Sequence, residues 1–444
     1  MKNNLANESL VKTFIRYVSL NVLSMISFSL YILADTYFIA NSIGSNGLTA
    51  LNIALPIFAV MNGVGYLVGV GSATLFSIFK GENNYKKANI IFTHGVALGA
   101  TIGMLFTLFG LLFAEQICSV CGADEIILPI ASGYIRILLL ISPAFILNNI
   151  FLNFIRNDNA PKLTTIAMIT SSLSNIIFDY ILVVPLNMGI EGAAIATAIS
   201  PIISMCILST HIFRKKNTFK FVKCKVDFQS AGKLCAIGFP SYITEVANGI
   251  VMFVLNFIIL SYSGNTGVAA FGIIANFSIV AIYIFNGIAL GVQPIISLNY
   301  GAKNYKNIRK AFILALCTAI GIGLIIYLSG LLFAENIVSI FNSENNTTLA
   351  EIAVNGIHIY FSAFIIAGLN IVIISYFASI AKPIQSFIIS ISRGLVFVIL
   401  FAIILSNFFE LNGVWFSIPV AETATLLIGI GLIVFKNNIF KNKL

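Results

Sequence analysis

Long apolar stretches separated by short polar connections recur along the whole chain. A membrane-spanning helix needs about 20 mostly apolar residues, and about twelve runs reach that length. They lie near 12–40, 48–79, 88–114, 126–155, 161–186, 190–213, 230–261, 267–299, 305–334, 348–380, 383–407 and 412–436. Several exceed the minimum, which predicts tilted helices or helices that project beyond the bilayer. The expected fold is an all-α polytopic membrane protein with twelve transmembrane helices.

Within these runs stand four carboxylates, Asp35, Asp179, Glu245 and Glu422, while every other acidic residue falls in a connection or at a segment end. A charge at the bilayer centre costs about 2.5–3.5 kcal/mol on insertion scales, so such acids usually face a cavity and handle ions, protons or cationic substrates. They point to transport.

Composition agrees with the pattern. The 444 residues are 59% hydrophobic and 9% charged, against about 25% charged in soluble domains. The net charge of +9 would suit nucleic acid, but its placement argues against that partner. Lys and Arg gather at the N-terminus (Lys2, Lys12, Arg16) and after run 2 (Lys80, Lys86, Lys87). They recur after run 4 (Arg156, Lys162), after run 6 (Arg214 to Lys233), after run 8 (Lys303 to Lys310), after run 10 (Lys382, Arg393) and at the C-terminus up to Lys443. The alternate connections hold Glu115, Asp124, Glu125, Glu191, Glu335, Glu344, Glu351 and Glu410 without a Lys or Arg, and Arg136 alone departs from the pattern. This alternation is the positive-inside rule, and it predicts a multi-pass protein of the cell's inner or plasma membrane with both termini cytoplasmic. The first run is too long for a cleavable signal peptide.

The chain repeats itself at an offset of about 220 residues. Leu111-Leu112-Phe113-Ala114-Glu115 returns as Leu331-Leu332-Phe333-Ala334-Glu335, and Gly81, Asn84, Tyr85 and Lys86 return as Gly301, Asn304, Tyr305 and Lys306. Gly44, Gly47 and Ala50 return as Gly264, Gly267 and Ala270. An even number of helices per copy gives both halves one orientation, related by an axis along the membrane normal with a cavity between them. The expected lobes are 1–213 and 230–444, joined by a basic cytoplasmic linker over 214–229 that ties them together and can also touch anionic lipid. The repeat fails at the acids of the first lobe: Asp35 aligns with Leu255, and Asp179 falls opposite Phe401. A scaffold role should survive duplication, whereas a specialised ion site need not.

Run 5 reads Ser171-Ser172-Leu173-Ser174-Asn175-Ile176-Ile177-Phe178-Asp179, so Ser171, Asn175 and Asp179 share one helix face. Run 1 carries a second polar stripe, Ser24, Ser27, Tyr31 and Asp35, and run 6 opens with small residues up to Thr197 that allow close helix contact. If these helices converge, Asp35, Asn175, Asp179 and Thr197 offer oxygen and amide ligands that suit a hard cation such as Na⁺. Two carboxylates in one dry pocket also favour a shared proton, the mark of a proton carrier. The plainer alternative is that Ser171, Asn175 and Thr197 only hydrogen-bond across helices.

The second lobe has Glu245 with Asn248, Met252 and Asn256 along one face, and Glu422 after Trp415 and Pro419. Carboxylates, Met and aromatics in one cavity bind lipophilic cations by charge, cation–π contact and adaptable packing. The alternative for each glutamate is an internal pair with Arg393 or Arg136. Gly95, Gly99 and Gly103 form a G-x-x-x-G ladder for close packing, and Pro143, Pro201, Pro240 and Pro294 are candidate kinks. Cys118 and Cys121 form one C-x-x-C without a second pair, and the three histidines share no spacing, so incidental thiols and packing histidines are expected. Neither set builds a nucleophile–base pair or a metal cluster within the bilayer, which argues against an enzyme.

At these residues the chain resembles the multidrug and toxic compound extrusion (MATE) family over nearly its whole length, nearest to the DinF-like branch of bacterial multidrug exporters. Ala34-Asp35-Thr36-Tyr37-Phe38-Ile39, with Gly44 and Leu48-Thr49-Ala50, looks like the family's end of helix 1. Asn175 to Asp179 followed by Gly192-Ala193-Ala194-Ile195-Ala196-Thr197 looks like its helix 5–6 signature. The resemblance implies a V-shaped pair of six-helix lobes. It implies a first-lobe H⁺ or Na⁺ site at Asp35, Asn175, Asp179 and Thr197 with Tyr31 beside it, and a substrate or coupling role for Glu245. Many members have a proline in the first half of helix 1; here Leu20 and Asn21 occupy that region. The expected function is antiport of amphipathic cations against H⁺ or Na⁺ by alternating access, with Tyr31, Glu245, Met252, Asn256 and Glu422 on the substrate side. A flippase of lipid-linked oligosaccharide is the alternative within the same superfamily. No cofactor beyond the coupling ion is expected. The expected partners are small amphipathic cationic substrates and membrane lipid, with no nucleic acid, and the chain is expected to act as a monomer.

Overall fold

The computed structural model describes residues 9–225, 227–342 and 346–441. Lys2, Glu344 and Lys443 lie outside the described residues. No strand occurs among the described residues. The first lobe comprises α1 (Leu10–Ser42), α2 (Ser45–Gly81), α3 (Tyr85–Val120), α4 in two parts (Ile127–Leu140 and Ser142–Asn157), α5 (Pro161–Val183) and α6 (Gly189–Phe213). The second comprises α7 and α8, which share the rod Phe228–Gly301, then α9 (Tyr305–Phe341) and α10 (Thr347–Ser379, with a 3₁₀ turn at Phe361–Ala363). Helix α11 runs Pro383–Ile391, through a π turn at Ser392–Val396, into the rod Phe397–Lys441, whose second part is α12.

Nine helices among the described residues are long and apolar enough to cross a membrane, and the two parts of α4, bent by 49°, make a tenth span. Two of the nine hold a residue that cannot continue a helix. Gly264 (φ 58°, ψ −155°) divides α7 from α8, and Glu410 (φ 50°, ψ −129°) divides α11 from α12. Counting these divisions restores the twelve spans read from the sequence.

The two lobes repeat each other in backbone detail. Gly44 (φ 79°, ψ −156°) breaks α1 from α2 as Gly264 breaks α7 from α8, and only glycine takes this conformation without strain. Non-helical Phe113 in α3 (φ −130°) is matched by Phe333 in α9 (φ −124°). Asn84 and Asn304 cap the next helices through their side chains, accepting from the backbone N–H of Lys87 and Asn307. Pro143 falls at the first turn of the second part of α4, so it starts a helix rather than kinking one. Pro201, Pro240 and Pro294 do lie inside helices.

Call the helix ends that carry the Lys-rich connections the basic side and the others the acidic side. On the basic side the lobes touch backbone to backbone. A Cβ at Gly71 would overlap the Leu234 carbonyl oxygen, one at Gly238 that of Leu67, and one at Gly301 that of Ile78. A Cβ at Gly291 would come within 2.8 Å of Val18 Cα. The α2–α7 and α1–α8 contacts are thus the same contact made twice, as the repeat requires. The Gly95, Gly99, Gly103 ladder packs α3 within the lobe, against Ser72, Ile150 and Pro143.

The linker is part of the first lobe, not a free tether. Phe219 is buried among Phe92, Phe154 and Phe76, with ring centroids at 4.5, 6.0 and 6.2 Å. Lys220 N–H donates to Asn89 Oδ1 at 2.9 Å and Val222 N–H to Thr93 Oγ1 at 3.1 Å. At its start, Asp158 accepts from Lys80 Nζ at 2.6 Å, from Thr218 N–H at 2.7 Å and from the Thr218 hydroxyl, with His211 Nε2 at 3.1 Å.

Burial by itself would push the Asp158 carboxyl up. The His211 hydrogen bond, the Lys80 charge and the Lys80 and Thr218 bonds outweigh it and hold the group below the usual carboxylate range. A lowered folded value means that this stability is complete above the unfolded value near 3.9 and is lost as pH falls through the folded one. Asp158→Ala leaves the Lys80 ammonium buried and unpaired, and breaking a buried pair costs about 3–5 kcal/mol. The expected result is a marked fall in the unfolding temperature of the detergent-purified protein, partly restored in Asp158→Ala/Lys80→Met. A wild-type-like single variant would contradict it.

Candidate cation site and interlobe cavity

Helices α1, α5 and α6 bring together the four residues singled out in the first lobe. Asp35 is 8% exposed, Thr197 5%, and Asn175 and Asp179 are fully buried. Asn175 Nδ2 donates to Thr197 Oγ1 at 3.4 Å, and Asp179 lies within electrostatic reach of Asp35. The stripe on α5 explains the geometry: Ser171 donates to the Ser200 carbonyl at 2.7 Å, holding α5 on α6 one turn before Asn175. Ser24 does the same between α1 and α5 through Thr165 Oγ1 at 3.0 Å. Helix α1 runs without a proline, and Asn21 Nδ2 donates back to the Tyr17 carbonyl at 2.7 Å.

Both oxygens of Asp179, Oδ1 of Asp35 and Oδ1 of Asn175 are buried with no hydrogen-bond partner among the described residues. Native proteins rarely leave buried acceptors unpaired, because each costs its full desolvation penalty. Four such oxygens in one place amount to a site that demands positive charge. All are hard oxygen donors of the kind that suits Na⁺, and the two carboxylates can equally take up H⁺. The set contains only two carboxylates and no His or Cys, and no group of three or more His, Cys, Asp or Glu able to hold a metal occurs among the described residues.

Beside this site, between the lobes and in the acidic half of the helices, lies a cavity of about 280 Å³, close to the lower end of drug-sized pockets. Tyr31, Asp35 and Thr197 line it from the first lobe, and Glu245, Asn248 and Met252 from the second. Leu255 lines the wall where the repeat sets it against Asp35. Gly63 lets α7 approach: a Cβ at that position would lie only 2.9 Å from the Tyr242 ring and 3.5 Å from Glu245 Cβ. Sequence reasoning missed Asn62 and Tyr134 of the first lobe and Tyr283, Asn286 and Tyr360 of the second, which also line it. The hydroxyl of Tyr134 faces Thr197, and Tyr31, Phe28 and Tyr283 form an edge-to-face chain at 5.0 and 5.2 Å.

Two expected substrate residues stand elsewhere. Asn256 is not in the cavity lining. Glu422 is held inside the second lobe, with Arg393 Nε at 2.8 Å and Asn370 Nδ2 at 2.7 Å. Of the two readings open for Glu422 the internal pair is the one observed, and a paired carboxylate offers a substrate cation little net charge. Arg136 is exposed and pairs with Glu115 at 3.4 Å, away from the cavity. Cys118 and Cys121 are free thiols.

Two six-helix lobes around a carboxylate-lined cavity define a multi-pass membrane protein of the transporter class. The MatE family profile matches residues 21–181 and 240–404, one copy on each lobe. The chain belongs to the MATE family. The multidrug export protein MepA of Staphylococcus saprophyticus is 27% identical over 405 residues, covering 90% of this chain and 88% of that protein. A crystal structure of MATE in complex with MaL6 superposes with a TM-score of 0.93 at 22% identity, over 99% of this chain and 98% of the other. The outward-facing conformation of a multidrug resistance MATE family transporter of the MOP superfamily also gives 0.93, at the same identity and coverage.

Proposed function

We propose that the protein is a secondary active antiporter that exports amphipathic, mostly cationic compounds in exchange for inward H⁺ or Na⁺. The observation that carries this reading is the set of unpartnered buried oxygens of Asp35, Asn175 and Asp179 at the edge of the interlobe cavity. The coupling ion compensates those oxygens, and substrate occupies the cavity against Glu245 and the tyrosine wall, where charge and aromatic faces attract a lipophilic cation. With the basic side cytoplasmic, the glycine contacts close the inner half and the conformation is outward-facing. Ion and substrate each favour a different arrangement of the lobes, and coupling follows from that difference in affinity. The similarity to multidrug export proteins supports the same substrate class.

Among the described residues the cavity lining contains Asp35 and Glu245 but no Lys or Arg, which disfavours a polyanionic lipid-linked oligosaccharide and its flippase. The deciding experiment uses everted vesicles loaded with the protein and follows ethidium uptake on imposing a proton gradient, then separately a Na⁺ gradient. Uptake under at least one is expected, and names the ion. Folded protein that takes up ethidium under neither would overturn the antiport reading.

A further inference from the structure

We propose that the first lobe contains a second, anion-binding site, built around Arg156 on the basic side of α4. The charged residues buried there and in the second lobe set the contrast. Lys80 has Asp158 at 2.6 Å and Arg393 has Glu422 at 2.8 Å. Arg156 is equally buried, at 2% exposure, yet no carboxylate lies within ion-pair distance of it among the described residues. Its Nη1 donates to Asn153 Oδ1 at 3.0 Å, and its Nε has no partner. An uncompensated buried guanidinium is costly, and Arg presents a fork of donors suited to anions.

The side chain lines a cavity of about 60 Å³, room for a few water-sized spheres or one small anion. Around it stand further donors. Ser204 Oγ is buried without a hydrogen-bond partner and Tyr66 lines the same space; Asn148 lines it too, but its unpartnered atom is the acceptor Oδ1. Asn149 and Asn153 are already committed as donors, to Asn62 Oδ1 at 3.1 Å and the Asn149 carbonyl at 2.8 Å, so they stiffen the wall instead. Asn175 and Thr197 line this cavity as well, and Tyr31, Phe58, Asn62 and Thr197 are shared with the larger interlobe one. The shared wall allows two sources of one chemistry: a free halide, or the carboxylate arm of a zwitterionic substrate held in the larger cavity.

The test is binding to the intact purified protein, so its failure leaves the antiport reading standing and the reverse. Unfolding temperature is followed while chloride replaces gluconate at constant ionic strength and Na⁺. A parallel series uses a zwitterionic rhodamine bearing a free carboxylate and its methyl ester. A free-anion site predicts a saturable rise with chloride whose apparent affinity falls at least about tenfold in Arg156→Gln, with Arg156→Lys intermediate. A site for the substrate's arm predicts no chloride effect, but a preference for the free carboxylate over the ester that Arg156→Gln removes. Should Arg156→Gln fail to fold, a weakened anion response in Arg156→Lys decides for the site. Absence of both responses, or responses that persist at full strength in Arg156→Gln or Arg156→Lys, overturns the proposal.

Discussion

Asp179→Asn is expected to abolish gradient-driven ethidium transport while raising, not lowering, the unfolding temperature. The two effects have one cause. Asp179 is fully buried and neither carboxyl oxygen has a partner, so its charge is a cost to the fold in the ion-free protein. Asparagine has nearly the same volume and removes that charge, and replacing an uncompensated buried ion is commonly neutral or stabilising. In the proposed antiport the same charge draws the coupling ion to one arrangement of the lobes. A ligand that shifts a two-state equilibrium from 1:99 to 99:1 needs a differential affinity of about 10⁴; without Asp179 that differential collapses and substrate alone cannot complete the cycle. Transport should fall by about two orders of magnitude or to background. Any Na⁺-dependent stabilisation of the wild type should vanish in the variant. Wild-type transport in a folded Asp179→Asn would remove this residue from the coupling mechanism.

The clustering of Asp35, Asn175, Asp179 and Thr197 was legible because its signal is local. Residues four apart on one helix must share a face, and apolar surroundings make each polar residue conspicuous. The repeat was legible for a similar reason, since the Leu111 to Glu115 segment and its copy carry the same kinks at Phe113 and Phe333. What escaped was decided between helices. Arg156 and Lys80 sit near helix ends and read as ordinary positive-inside charges, yet each is only 2% exposed. Both side chains are enclosed, one paired with Asp158 and the other not. The Arg393–Glu422 pair stood only as one of two readings for that glutamate, because the residues are 29 apart and the π turn over Ser392–Val396 that carries Arg393 has no sequence mark. Tyr66, Tyr134 and Tyr283 were lost among 15 tyrosines because a tyrosine facing lipid and one facing a cavity have the same spacing. The linker's basic composition concealed Phe219, which pins it to the first lobe.

Gly238→Ala should trap the transporter away from the state closed on the basic side, and the reason lies in the cost of a single methyl. At Gly238 a Cβ would overlap the backbone carbonyl oxygen of Leu67, and at Gly71 the carbonyl oxygen of Leu234. The neighbour in each case is backbone of the opposite lobe, so no rotamer change relieves the clash and the lobes must move apart. Overpacking of this kind costs about 1–3 kcal/mol, equivalent to a shift of about 5- to 150-fold in a two-state population. In the proposed alternating access this interface opens in every cycle, so the burden falls on the balance between conformations and not on the folding of either lobe. Unfolding temperature should change little while transport drops. Thr74 on α2 is buried at this seam, accepting from Gln293 Nε2 of α8 at 2.7 Å, and it reports the opening. With the native cysteines replaced, a Thr74→Cys probe should react with a maleimide faster in Gly238→Ala than without it. Equal labelling rates together with unimpaired transport would mean that the glycine contacts do not gate the basic side.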